Sequence, residues 1–206
     1  MPISEPNRTR RTQADRSAAT REALIAAARR LFAARGFAEV GTDAIATEAG
    51  VSRGALYHQF ADKVALFDAV VDQVEAEIAA RLAEQATAEG TADPVEGMRR
   101  AVRGWLEICV EPEIHRIALL DGPSVLGWAR WREVCQRHVF GLVEVVLSQA
   151  METGQIRRQP LRPLAHVMMG ASDEAALYVV EAADRGRAMD EMILVLDQMI
   201  QGVLND

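Results

Sequence analysis

Cysteine is nearly absent from this chain. Cys109 and Cys135 are the only two, and they are too far apart for the C-x-x-C spacing of a zinc ribbon or a redox motif. Two reduced, buried thiols are the expectation, because disulfides are rare in reducing compartments. Aromatic and β-branched residues are also scarce, and no stretch alternates Val, Ile or Thr between turn residues, so a sheet is excluded. No apolar run approaches the roughly 18 residues needed to span a bilayer. The N-terminus carries Arg and Asp where a secretory signal needs an apolar run, so the expected location is the cytoplasm, with no membrane partner. The short patterns of catalysis are missing too: there is no Gly-rich phosphate loop, no G-x-S-x-G, no H-E-x-x-H and no isolated carboxylate pair in an apolar run. Neither an enzyme nor a cofactor is expected.

What remains is rich in Ala, Leu, Glu and Arg, the composition of an all-α protein. With 206 residues, half of them hydrophobic, the chain can bury a sizeable core. The net charge of −7 argues against a nucleic-acid partner until it is divided along the chain. Residues 1–65 hold ten basic and seven acidic side chains, a net +3, and the remainder carries −10. One end suits a polyanion and the other repels it.

Residues 1–15 contain Pro2, Pro6 and a cluster of arginines with almost no apolar side chain, and read as a flexible basic arm that includes Arg10 and Arg11. A helix begins near Ser17, with Leu24, Ala27, Ala28, Leu31 and Phe32 on one face, and stops at Gly36. Thr42 is placed to cap a short helix over 43–49, Ser52 a second over 53–60, and Asp62 a long third one through Leu66, Val70, Val74, Ile78 and Leu82. Asp93-Pro94 opens a helix that breaks before Pro112, and a short helix over 114–120 is expected to end at Gly122-Pro123. Ser124 then starts a long helix to about Thr153, and two more follow over about 164–185 and 188–204, about nine helices in total. The chain thus divides into an arm over 1–15, a first helical unit over 16–65 and a larger second one over 66–206.

The two short helices meet at Gly50-Val51-Ser52. Ala46 is small where the second helix approaches, Gly50 takes the positive φ of the turn, and Ile45, Val51 and Leu56 are spaced to fill the space between them. That is a helix-turn-helix, whose second helix enters the major groove with its N-terminal residues towards the bases. Arg53 and His58 suit bases or phosphates, Tyr57 a phosphate or a sugar, and the small Gly54 and Ala55 allow close approach to thymine methyls. Lys63 and Thr42 are placed for phosphates at the two sides. Each side chain also has a plainer role open to it: Tyr57 partly in the core, His58 facing solvent, Lys63 a surface charge.

The run from Leu31 to Phe37, Thr42 with Ile45-Ala46, the stretch Gly50-Val51-Ser52-Arg53-Gly54-Ala55-Leu56-Tyr57-His58-Gln59-Phe60, and Lys63 to Leu66 resemble the DNA-binding domain of TetR-type regulators. Gln59 departs from the aromatic or basic residue usual there. The resemblance implies a homodimer made by the last two helices, a palindromic double-stranded operator, and a small-molecule effector whose binding changes the separation of the two reading heads. A repressor released by its effector is the expected function, with a DNA-binding activator, or a regulator without an effector, as the alternative. The long helix from Asp62 joins both domains and is the expected lever.

For the effector pocket the bulky and polar candidates are Trp105, Cys109, His115, Leu119, Trp128, Trp131, Arg132, Cys135, Met168, Met169 and Asp173. Residues of these types at helical spacing serve equally as ordinary core. Cys135 and His138 lie one turn apart and could share a metal with His115 or His166, although no metal is the expectation. For dimerisation the candidates are Ala171, Ala175, Tyr178 and Val179 on one helix and Met192, Val195 and Met199 on the last, and packing within one protomer would use the same stripes.

Overall fold

The structure, a computed structural model, describes residues 13–87 and 93–204. Arg10, Arg11 and most of the expected arm lie outside the described residues. The elements are α1 (Gln13–Arg35), α2 (Thr42–Glu48), α3 (Arg53–Gln59), α4 (Lys63–Thr87), α5 (Pro94–Cys109), α6 (Pro112–Ile114), α7 (Gly122–Leu126), α8 (Trp128–Cys135), α9 (Gly141–Glu152), α10 (Leu161–Glu181) and α11 (Arg185–Gln201). A π-helical stretch, His115–Asp121, fuses α6 to α7, and a second, Gln136–Phe140, fuses α8 to α9. Counted as continuous rods, the described residues form nine helices. They contain no strand, only an isolated antiparallel bridge between Ile156 and Leu204.

The local signals explain most boundaries. Gly36, at φ 79°, donates its N–H to Phe32 O at 2.8 Å and ends α1. Ser52 Oγ accepts from Ala55 N at 3.1 Å, Asp62 Oδ1 from Ala65 N at 2.7 Å, and Asp93 Oδ1 from Val95 N at 2.9 Å. Thr42 departs from the expectation, since it is the first residue of α2 and caps nothing; Gly41 holds the cap position. Helix α11 begins at Arg185, ahead of the expected 188, and its cap is Asp184, bonded to Arg187 N at 3.1 Å.

The larger departure is at Gly122-Pro123, where the expected break does not occur. The preceding turn is π-helical, and its greater width admits a ring that has no N–H to give. The rod ends instead at Gly127, whose φ of 75° turns the chain into α8.

Two cores share α4. In the head, Leu24, Phe32, Ile45, Leu56 and Leu66 are fully buried, and Phe67 stands edge-on to Phe32 and Phe37 with ring centroids 5.3 and 5.1 Å away. Each such side chain contributes roughly 1.5–3 kcal/mol of burial. The distal half of α4 packs on α5, and α9, α10 and α11 close around α5. Helix α4 therefore passes through the boundary expected near residue 65 without interruption, tying the head to the body.

Candidate functional site

The corner between α2 and α3 is tight because Gly50 takes φ 67° and Val51 N reaches Ala46 O at 3.0 Å. This seats Leu56 at zero exposure and turns the opposite face of α3 outwards: Arg53, Gly54, Tyr57 and His58 are exposed and Ala55 is half-buried. The outward residues hold one another in place. Tyr57 OH lies 3.2 Å from Thr42 Oγ1, the Arg53 guanidinium lies 5.6 Å from the Tyr57 ring centre, and it pairs with Asp43 at 3.3 Å. The Thr42 bond, and then Arg53, pull the Tyr57 phenol below its ordinary value. Asp43 occupies Arg53 at full exposure, where such a pair contributes little and exchanges readily for a phosphate.

Lys63 is placed differently from the expected phosphate contact. It turns inwards, with Nζ donating to Phe37 O at 2.9 Å and Val40 O at 3.0 Å and lying 4.0 Å from the Phe37 ring centre. Two of its three N–H donors thus staple the loop after α1 to the start of α4. Gln59 also faces the protein, donating to Ser17 Oγ at 2.8 Å.

In the body, a cavity of about 340 Å³ lies between α4, α5, α8, α9 and α10. Of the expected residues, Trp105, Trp131, Cys135, Met168, Met169 and Asp173 line it. Cys109, His115, Leu119, Trp128 and Arg132 do not. Cys109 and Leu119 are buried elsewhere, His115 sits on the π-helical stretch, and Trp128 is 63% exposed, because the break at Gly127 places it on the outer side of α8. Arg132 stands behind the wall, bonded to Asp173 Oδ2 at 3.1 Å.

The sequence reading missed the apolar wall supplied by Val139, Leu142, Val143 and Val146, the α5 residues Met98 and Val102, and above all Glu75. Glu75 sits on the apolar stripe of α4 with Val71, Val74, Ile78 and Leu82, and a charged residue on such a stripe was the available signal. It is 2% exposed and accepts from Cys135 Sγ at 3.5 Å. Burial pushes its carboxyl up to about 7, and Asp173 and Asp72 add to the rise. Burial likewise pushes Asp173 up to about 6 against the opposing pull of Arg132, and the Cys109 and Cys135 thiols are driven well above their ordinary values. Both cysteines are free and, as buried thiols, unreactive.

The combination considered for a metal does not converge. His138 Nε2 lies 3.0 Å from Asp72 Oδ1, the His166 ring packs on Phe140, and no group of three or more His, Cys, Asp or Glu among the described residues forms a metal set. No described helix is long and apolar enough to cross a membrane.

Hydrogen bonds join the cavity wall and the body to the head. Trp131, in the cavity wall, donates Nε1–H to Ala118 O at 2.9 Å on the π-helical stretch. At the end of that stretch Asp121 Oδ2 accepts from Phe37 N at 2.8 Å, just past α1. Arg29 of α1 bonds Glu113 and Glu77, each at 2.6 Å, clamping α1 to α6 and α4.

Of the expected dimer residues, Tyr178, Val195 and Met199 are exposed, Ala171 and Met192 are half-buried, and Ala175 and Val179 are buried within the protomer. Leu194 and Val167, not anticipated, are 59% and 61% exposed on the same two helices.

Comparison with known proteins agrees at both ends of the chain. Residues 24–70 match the family described as bacterial regulatory proteins, tetR family, and residues 95–203 match the tetracyclin repressor-like C-terminal domain. The HTH-type transcriptional repressor AcnR of Corynebacterium glutamicum is 29% identical over 143 residues, 69% of this chain and 72% of its own. A crystal structure of a TetR-family transcriptional regulator from Pectobacterium atrosepticum superposes with a TM-score of 0.79 at 34% identity, covering 95% of this chain and 99% of that one. The fold is shared at 23% identity by RolR in complex with resorcinol, with a TM-score of 0.73 over 93% of this chain and 90% of that one. With a helix-turn-helix head, a helical body and matches over both, this chain belongs to the TetR family of bacterial transcriptional regulators.

Proposed function

We propose that the protein is a non-catalytic cytoplasmic repressor that binds a palindromic operator as a homodimer and leaves it when a small molecule fills the body cavity. The observation that carries this reading is the cavity's connection to the head: the wall residue Trp131 is bonded to the π-helical stretch whose Asp121 holds Phe37. A ligand that displaces Trp131 pulls on Ala118 and, through the rod, on the end of α1, while α4 carries the same movement along its length. Coupling of about 1–3 kcal/mol between the sites lowers operator affinity about 5- to 150-fold. RolR, which shares the fold, holds resorcinol, an aromatic molecule of a size such a cavity accommodates.

In DNA reading, Arg53 leaves Asp43 for a base or phosphate, Tyr57 contacts the backbone, and Gly54 and Ala55 let α3 sit deep in the groove. Two heads on one duplex make a monomer's contacts bivalent, so dimerisation through α10 and α11 supplies much of the affinity. The test is selection of bound fragments from random duplex DNA at a stated salt concentration, with wild type beside Tyr57→Ala. A palindrome enriched by the wild type and lost in the variant supports the reading. No enrichment from folded, dimeric protein overturns it, and a palindrome insensitive to every ligand tried points to a regulator without an effector.

A further inference from the structure

Resting on the ligand-sensing reading above, we propose that the effector is an apolar organic cation whose charge is met by Glu75 at the floor of the cavity. The argument is one of unmatched charge. Each carboxylate near Glu75 has its own cation: Asp68 is held by Arg130 at 2.8 Å, Asp72 by Arg137 at 2.6 Å and His138 at 3.0 Å, and Asp173 by Arg132 at 3.1 Å. Glu75 has none among the described residues, and its one hydrogen-bond donor there is the weak Cys135 thiol. A carboxylate 2% exposed without a counter-ion is costly, whereas a cation delivered by a ligand repays the cost on arrival.

The rest of the cavity points the same way. Among the described residues no Lys, Arg or His lines it, so no positive charge there meets an anionic ligand. Its walls are mostly apolar, with Thr87, Gln149, Ser172 and Asp173 as the other polar side chains, and both indole N–H groups are already committed, Trp105 to Ser172 O at 3.1 Å and Trp131 to Ala118 O. What these tryptophans have left for a ligand is ring surface, which attracts cations.

The titratable and charged groups facing Glu75 are Cys109 from α5, Cys135 and Arg132 from α8, Asp173 from α10, and Asp72 on its own helix, itself paired with His138 from the stretch after α8. Raised by burial to about 7, the Glu75 carboxyl exchanges its proton near neutral pH. An entering cation selects the ionised form and expels the proton, so its affinity rises with pH. A neutral ligand gains nothing from that ionisation.

The experiment compares (naphthylmethyl)trimethylammonium, whose charge does not titrate, with naphthylmethanol, by calorimetry on the full-length protein in two buffers of different ionisation heat. With the carboxyl at about 7, the cation's affinity is expected to rise about tenfold between about pH 6 and about pH 8, with release of close to one proton at the lower pH. The alcohol should bind more weakly at the higher pH, with no such rise. Glu75→Gln, checked for folding by its melting transition, should remove the cation's pH dependence. If the alcohol binds as well as the cation, or the cation's affinity is flat with pH, the cationic class is wrong and ligand sensing stands. If neither probe binds while the protein is folded, the cationic class falls, whereas the sensing reading falls only if operator binding is insensitive to every ligand tried.

Discussion

Replacing Glu75 by Gln exchanges a carboxyl for an amide of nearly the same shape, which isolates the cost of charge in the body core. The unfolded carboxyl titrates near its ordinary 4.5 and the folded one at about 7, so folding takes up a proton between those values. The native state's proton-binding advantage is fully present below about pH 4.5 and is lost as pH rises through about 7. At about 1.4 kcal/mol per pH unit, the interval between 4.5 and about 7 amounts to about 3 kcal/mol. Glu75→Gln does not titrate, and Asp173 is common to both proteins. The variant's stability relative to wild type should therefore climb by about 3 kcal/mol between about pH 4.5 and about pH 8, equivalent to about 6–12 °C in melting temperature for a chain of this size. The assay is urea denaturation of both proteins across that range without ligand, at one protomer concentration, because a dimer's apparent stability depends on it. A difference that stays within about 1 kcal/mol across the range refutes the assignment of an uncompensated buried carboxyl.

Three further outcomes are expected. In Gly122→Ala the new Cβ would stand 2.8 Å from Trp131 Cδ1 and 3.1 Å from Ile117 O, so Trp131 must move off Ala118, with about 1–3 kcal/mol lost in denaturation and a shifted tryptophan emission; unchanged values mean the rod is looser than described. Asp121→Ala removes the acceptor of Phe37 N, and the ratio of operator affinities without and with ligand should shrink towards one in a binding titration; an undiminished ratio assigns the coupling to α4 alone. Leu194→Asp places a charge beside Val195 and Met199, and sedimentation should show monomer at concentrations where the wild type is dimeric; a persistent dimer moves the interface off this face of α11.

Much of the head was legible along the chain because its determinants are local. Gly36 and Gly50 supply backbone conformations that side chains resist, and Ser52, Asp62 and Asp93 cap helices that begin within three residues of them. The outward face of α3 follows from the inward one, since burying Leu56 on a helical period exposes Arg53, Tyr57 and His58. Where neighbours in space decide, the sequence was silent. Whether Lys63 reaches out or folds back depends on the carbonyls of Phe37 and Val40, and whether Gly122-Pro123 breaks a rod depends on the wider turn before it. Periodicity placed Trp105, Trp131, Met168 and Met169 on inward faces but did not say which faces meet across a void and which meet another helix, so Cys109 and Leu119 were grouped with a cavity they do not reach. Glu75 shows the division most clearly. Its place on the apolar stripe of α4 is a property of the sequence, whereas its lack of a counter-ion among the described residues arises because Arg130, Arg132 and Arg137, from elements distant along the chain, are each committed to another carboxylate. Local sequence determines backbone conformation and helix faces through interactions a few residues long; only tertiary packing decides which charges are paired, because Coulomb energy depends on distance in space and on exclusion of water.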